Sequence, residues 1–173
     1  MTDTNVAAQS PAQPGPPACR SSLDQPPAEH TGKPYFAETI TLLRSVRDHD
    51  FDTLASLCDD DFGIVDVAPD GANVPIRTRP EWEGWFHSLF ATLDTMGAAT
   101  DSEVLAYDAR EAADLGYGVL EFRQTLVVGP LTATFDCIAT LIWKRAGDRW
   151  VEARWHCSVI SKDVPPELLT AAG

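Results

Sequence analysis

Trp150-Val151-Glu152-Ala153-Arg154-Trp155-His156-Cys157-Ser158-Val159 alternates without a break. Val151, Ala153, Trp155, Cys157 and Val159 fall on one face, and Glu152, Arg154, His156 and Ser158 on the other. That is the pattern of a strand with one dry side and one wet side. Upstream, Phe135 to Trp143 is rich in Thr, Ile and aromatic residues, as strands are. Lys144-Arg145-Ala146-Gly147-Asp148-Arg149 joins the two arms through a polar turn whose glycine can take positive φ. Trp143, Trp150 and Trp155, three of the five tryptophans, lie in this hairpin. It therefore makes a wall of the core, its apolar face turned toward whatever the protein holds.

Working outward, strand-like segments at about 102–107, 115–128 and 131–143 precede the last strand. Before them, Pro80 opens a helix in which Trp82, Trp85, Phe86, Leu89, Phe90 and Leu93 form one apolar stripe. Residues 62–67 alternate Phe62, Ile64 and Asp66 against Gly63, Val65 and Val67, the reading of a first strand. Pro69-Asp70-Gly71 is a turn and Val74 to Thr78 a short return strand. Phe36, Ile40, Leu43 and Val46 mark a first helix that starts near Pro34. Asp50 or Asp52 can cap a second short helix carrying Phe51, Leu54 and Leu57. Helices gathered ahead of a run of strands predict an α+β domain over residues 34–161. In it a curved antiparallel sheet wraps over N-terminal helices into a cone with an apolar pocket. Residues 1–33, with six prolines and only Val6 and Leu23 as large aliphatic residues, read as a disordered tail. Residues 162–173 read as a second tail.

At 173 residues the chain supports one domain with a sizeable core. Its 13 basic against 26 acidic residues give a net charge of −13, which argues against nucleic acid or an anionic membrane as partner. No stretch approaches the roughly 20 apolar residues of a membrane span, and the first residues lack the basic start and apolar run of a signal peptide. Cys19, Cys58, Cys137 and Cys157 show no paired spacing, consistent with free thiols in a reducing compartment and a cytoplasmic location. No metal-ligand spacing, phosphate-cradling glycine loop or nucleophile elbow occurs.

This order of elements, with these residues, resembles the nuclear transport factor 2-like superfamily, which includes SnoaL-like cyclases and ketosteroid isomerases. Asp50-Phe51-Asp52 and Leu57-Cys58-Asp59, and the hairpin from Trp143 to Ser158, are most similar to the association domain of calcium/calmodulin-dependent kinase. The resemblance covers about residues 35–161 and implies the cone fold, with no kinase signature in the chain. It also implies that Asp66 occupies a place like that of the catalytic Asp of ketosteroid isomerases. Leu42 and Ala139 stand where those enzymes carry their tyrosine and their second acid.

Asp66 shares its strand face with Phe62 and Ile64, so it is the candidate general base. Trp85, Phe90, Leu141, Trp155 and Cys157 are expected to line the pocket, with Tyr35 and Tyr117 donating hydrogen bonds from its rim. Glu152, Arg154 and His156, on the polar face of the last strand, are expected at a subunit interface of a homodimer or larger homo-oligomer. Arg123 is read as a surface ion pair with Glu121. The functional expectation is a cofactor-free isomerase, cyclase or dehydratase acting on a small, largely apolar molecule of steroid, polyketide or terpenoid type. The alternative is a non-catalytic ligand-binding or association module.

Overall fold

The hydrophobic periods of the chain set the element order in the computed structural model, which describes residues 21–67 and 73–170. Helix α1 (Phe36–Arg47) buries Phe36, Ile40 and Leu43 at helical spacing. Helix α2 (Phe51–Leu57) is capped by Asp50, whose carboxylate accepts a 3.1 Å hydrogen bond from the Thr53 amide. Helix α3 (Arg79–Met96) starts on a capping box of Thr78 and Glu81 and ends at Gly97, whose φ of 59° closes the last turn. Its buried stripe is Trp82, Phe86, Phe90 and Leu93.

The strands are β1 (Cys58–Val67), β2 (Asn73–Ile76), β3 (Ala98–Ala112), β4 (Leu115–Val128), β5 (Leu131–Ala146) and β6 (Arg149–Asp163). They form one sheet in the order β2-β1-β6-β5-β4-β3. All neighbours run antiparallel except β1 and β6, which pair in parallel. The sheet is thus mixed rather than wholly antiparallel, a consequence of β1 returning beside the last strand. Register shifts within β3–β4, β1–β6 and twice within β5–β6 are the bulges that let so long a sheet curve over α1 and α3.

The segment expected as a tail is partly structured. Residues 21–33 hold two short 3-10 turns, Ser22–Asp24 and Ala28–His30. Leu23 is 1% exposed within the core. Ser21 and Ser22 bond Asp101 and the Ser102 carbonyl, Lys33 reaches the Tyr107 carbonyl, and the Arg44 guanidinium caps the Leu23 carbonyl. One aliphatic side chain and these side-chain hydrogen bonds anchor a segment whose composition alone reads as unfolded. At the other end β6 runs to Asp163 and a short helix, α4 (Pro166–Thr170), follows, so the second expected tail is structured as far as 170. Residues 1–20, the Pro69-Asp70-Gly71 turn and residues 171–173 lie outside the described residues. Among the described residues no helix is long and apolar enough to cross a membrane.

If Leu23 fastens this segment to the core, Leu23→Ala lowers stability by about 2–4 kcal/mol, as for other buried leucines. Urea unfolding measures it, and a change within roughly 0.5 kcal/mol, the size of a surface substitution, would show the segment undocked.

Candidate functional site

The concave side of the sheet and the facing sides of α1 and α3 enclose a cavity of about 270 Å³. Leu42, Leu43 and Val46 come to it from α1, and Trp82, Trp85, Phe86 and Leu89 from α3. The sheet supplies Phe62, Ile64 and Asp66 from β1, Phe122 and Gln124 from β4, Cys137 from β5, and Glu152, Trp155 and Cys157 from β6. No Lys, Arg or His is among the lining residues. Asp66 is half-buried, while Phe62 and Ile64 before it are buried, so the inward alternation expected of this strand holds.

Of the residues expected to line the pocket, Asp66, Trp85, Trp155 and Cys157 do so. The others sit elsewhere. Phe90 lies in the core against Phe86 and the His49 ring, and Leu141 is fully buried in the sheet's inner layer. Tyr35 is packed at the far end of the core, stacked on Trp143 with ring centroids 5.5 Å apart and edge-on to Trp150. A Cβ on Gly116 would come within 2.0 Å of the Tyr35 hydroxyl, so the glycine makes room for this ring. Tyr117 is exposed on the opposite face of β4 and is not a rim donor. Arg123 pairs with Asp136 on the neighbouring strand at 2.7 Å, not with Glu121, because residues two apart on one strand are farther apart than cross-strand neighbours.

Glu152 is the main displacement. It is 1% exposed and lines the cavity, whereas Arg154 and His156 are exposed on the outer face as expected. The cause is a bulge. Ile142 pairs with Arg154 and Trp143 with Glu152, which leaves Ala153 as an extra residue on β6. The alternation changes phase there, so Glu152 turns inward together with Trp155 and Cys157, and Val151, Glu152 and Ala153 are buried in succession. The Cys58 thiol lies 3.9 Å from Glu152 Oε2, and Oε1 has no hydrogen-bond partner among the described residues. Burial pushes the Glu152 carboxyl well above the usual carboxylate range; the Cys58 hydrogen bond opposes this and the charge on Asp66 adds to it. Burial likewise pushes the Cys58 thiol up, with Glu152 acting in the same direction. Cys157 hydrogen-bonds to Cys137, which raises the Cys157 thiol and lowers that of Cys137. A raised thiol pKa leaves Cys157 a poor nucleophile.

Sequence reasoning missed Glu152 because its neighbours alternate perfectly. The phase change is visible only in the pairing, which brings Trp150 to the Tyr35 ring on the same inner side as Trp155. Thr100 and Gln124 were missed as well. Both sit on the wall, and the Gln124 amide oxygen accepts from the Ser102 hydroxyl at 2.7 Å.

A helix-backed curved sheet enclosing an apolar cavity with inward carboxyl groups defines the class of small α+β cone proteins. Residues 40–162 match the model of the SnoaL-like domain, and the chain belongs to that family. A search of the curated proteins finds no match. Among solved structures the fold is similar to a candidate scytalone dehydratase from Novosphingobium aromaticivorans, at 8% identity and TM-score 0.63, covering 75% of this chain and 83% of that one. The beta subunit of the benzoate 1,2-dioxygenase of Burkholderia mallei matches at 10% identity and TM-score 0.62, covering 71% and 86%. A candidate calcium/calmodulin-dependent protein kinase type II association domain from Thiobacillus denitrificans matches at 17% identity and TM-score 0.56, covering 75% and 96%. At these identities the likeness is one of fold.

The raised Glu152 carboxyl has a consequence for stability. Unfolded, the group titrates near its ordinary 4.5; folded, it holds its proton to higher pH. Between those two values the native state binds more protons than the unfolded state, so stability falls as pH rises, by up to about 1.4 kcal/mol per pH unit. Glu152→Gln removes that loss. Urea unfolding from pH 4 to 8 should show the variant gaining on the wild type above pH 4.5; parallel curves would mean an ionised Glu152 in the native state.

Proposed function

We propose that the chain is a cofactor-free SnoaL-like enzyme that isomerises, cyclises or dehydrates a small, largely apolar molecule by acid-base chemistry. The observation that carries the reading is a carboxylate, Asp66, on the wall of a largely apolar cavity beside Phe62 and Ile64. Desolvation makes a carboxylate in such surroundings a stronger base, and a dry cavity protects a carbanionic or enolic intermediate from stray protons. In the mechanism Asp66 takes a proton from the carbon next to a carbonyl and returns it either to another carbon of the resulting enol, in isomerisation, or to the departing β-hydroxyl, which leaves as water, in dehydration. Trp85 and Trp155 hold the ring system flat against the wall. The likeness to a candidate scytalone dehydratase supports the reaction class at the level of fold only.

Deuterium uptake next to the carbonyl of small apolar ketones, followed by mass spectrometry in heavy water, tests the base directly. Asp66→Asn should slow uptake about 10²–10⁴-fold, the usual contribution of a general base, with the thermal midpoint unchanged. Equal rates in wild type and variant would remove Asp66 from the chemistry.

A second reading, association through the outer sheet face, is favoured by the exposed Leu105, Tyr117 and Ile160 together with His156 and Arg154 on that face. Arg154 there also bonds the Asp61 carbonyl. The likeness to a candidate association domain supports this reading in the same limited way. Sedimentation at micromolar concentration should give a dimer or larger ring that Arg154→Glu weakens. A monomeric wild type, or an equally tight variant oligomer, would count against it.

A further inference from the structure

Three residues on the cavity wall carry a buried polar atom that has no hydrogen-bond partner among the described residues: Glu152 Oε1, Trp155 Nε1 and Thr100 Oγ1. Orphaned polar atoms are costly to bury and are ordinarily satisfied. Thr100 is level with Ala133 and Glu152 with Trp143, so Thr100 lies toward the other end of the sheet; Glu152 and Trp155, neighbours on β6, are the pair that one ligand can complete. The geometry points to the class. We infer that the cavity takes an uncharged, largely apolar ring compound whose carbonyl or hydroxyl oxygen seats against Glu152, with the Glu152 carboxyl donating the hydrogen bond. This deepens the cavity reading above and rests on it.

Several observations converge. Glu152 Oε2 is occupied by the Cys58 thiol at 3.9 Å, which leaves Oε1 for the ligand. The bulge at Ala153 fixes the side chain in this position, between the strand pairings to Trp143 on β5 and Cys58 on β1. Burial and the charge on Asp66 both favour the protonated carboxyl, and only a protonated carboxyl has a proton to donate. No Lys, Arg or His is among the lining residues, so an anionic ligand would lose its hydration with no cation on the wall to replace it. The oxygen acceptor of a neutral ketone, enol or phenol meets no such penalty. Glu152 is thereby a group that touches the ligand, opposite in role to Asp66: one gives a hydrogen bond, the other takes a proton.

The probes are acetylnaphthalene, ethylnaphthalene and naphthoate, each substituted at the same ring position, so that they differ only in ketone, hydrocarbon or anion. Quenching of the wall tryptophans reads their binding to the full chain. The wild type should hold the ketone about tenfold more tightly than the hydrocarbon, the effect of one buried hydrogen bond, and should bind naphthoate most weakly. Glu152→Met should abolish the preference for the ketone, while Glu152→Gln, which keeps a donor of the same shape, should retain most of it. Infrared difference spectra between wild type and Glu152→Gln at neutral pH should show the carbonyl band of a protonated carboxyl, a readout that needs no ligand. Equal affinity for ketone and hydrocarbon, naphthoate binding as tight as the ketone, or absence of the infrared band would each overturn the role of Glu152 and leave the apolar cavity standing. Failure of all three probes to bind would overturn the cavity reading along with it.

Discussion

The pairing of β5 with β6 is the constraint on which the rest of the molecule depends. It is the central seam of the sheet, flanked by β4 on one side and β1 on the other, and it supplies the floor of the cavity. A flat ladder of this length would leave the helices nothing to nest in. The two bulges in this pairing turn the ladder into a curve, and α1 and α3 then pack against the hollow side. Trp143, opposite Glu152, is fully buried at the closed end, with Tyr35 stacked on it. The aromatic pile of Tyr35, Trp143 and Trp150 plugs that end of the cone. The cavity opens where the side chains are smaller, toward Cys137, Cys157 and Asp66.

A carboxyl group in such a place is costly. A buried charge without a cation is disfavoured by several kcal/mol even after relaxation, and burial accordingly pushes the Glu152 carboxyl well above the usual carboxylate range. The same cavity places Asp66 closer to solvent, half-buried. Two carboxyl groups in one cavity thus differ in depth, Glu152 1% exposed and Asp66 half-buried. A hydrophobic residue at 152 would pack well and cost nothing of this kind. The local rule is broken at a position on the cavity wall, and such breaches concentrate at functional sites.

Most of the architecture was legible in the sequence because it is written in periodicity. The stripe from Trp82 to Leu93, the alternation of Phe62, Ile64 and Asp66, and the hairpin at Gly147 each depend on local pattern, and each stands where the pattern puts it. What the pattern could not carry is a change of phase. Glu152 reads as outward from either neighbour, and only the pairing of Trp143 with Glu152, followed by Ile142 with Arg154, displaces it. Tyr35 was placed at the rim because a tyrosine carries a hydroxyl, whereas its ring is the larger part and the space over Gly116 fits it. Residues 21–33 were read as unfolded from composition, which counts apolar residues but cannot count the partners waiting on β3 for Ser21, Ser22 and Lys33. Composition sums over a segment; docking is decided by one or two contacts.

The sheet also separates the two functional readings in space, so they need not compete. Alternation sends Trp155 and Cys157 to the cavity and Arg154, His156 and Ser158 to the opposite face. A second copy laid on the outer face would press on the backs of the same strands that form the cavity wall. Such a contact would press on the Ala153 bulge from the side opposite the cavity, without touching a ligand. Association and ligand binding would then be linked through one strand, with each residue of β6 serving one side or the other according to its place before or after the bulge.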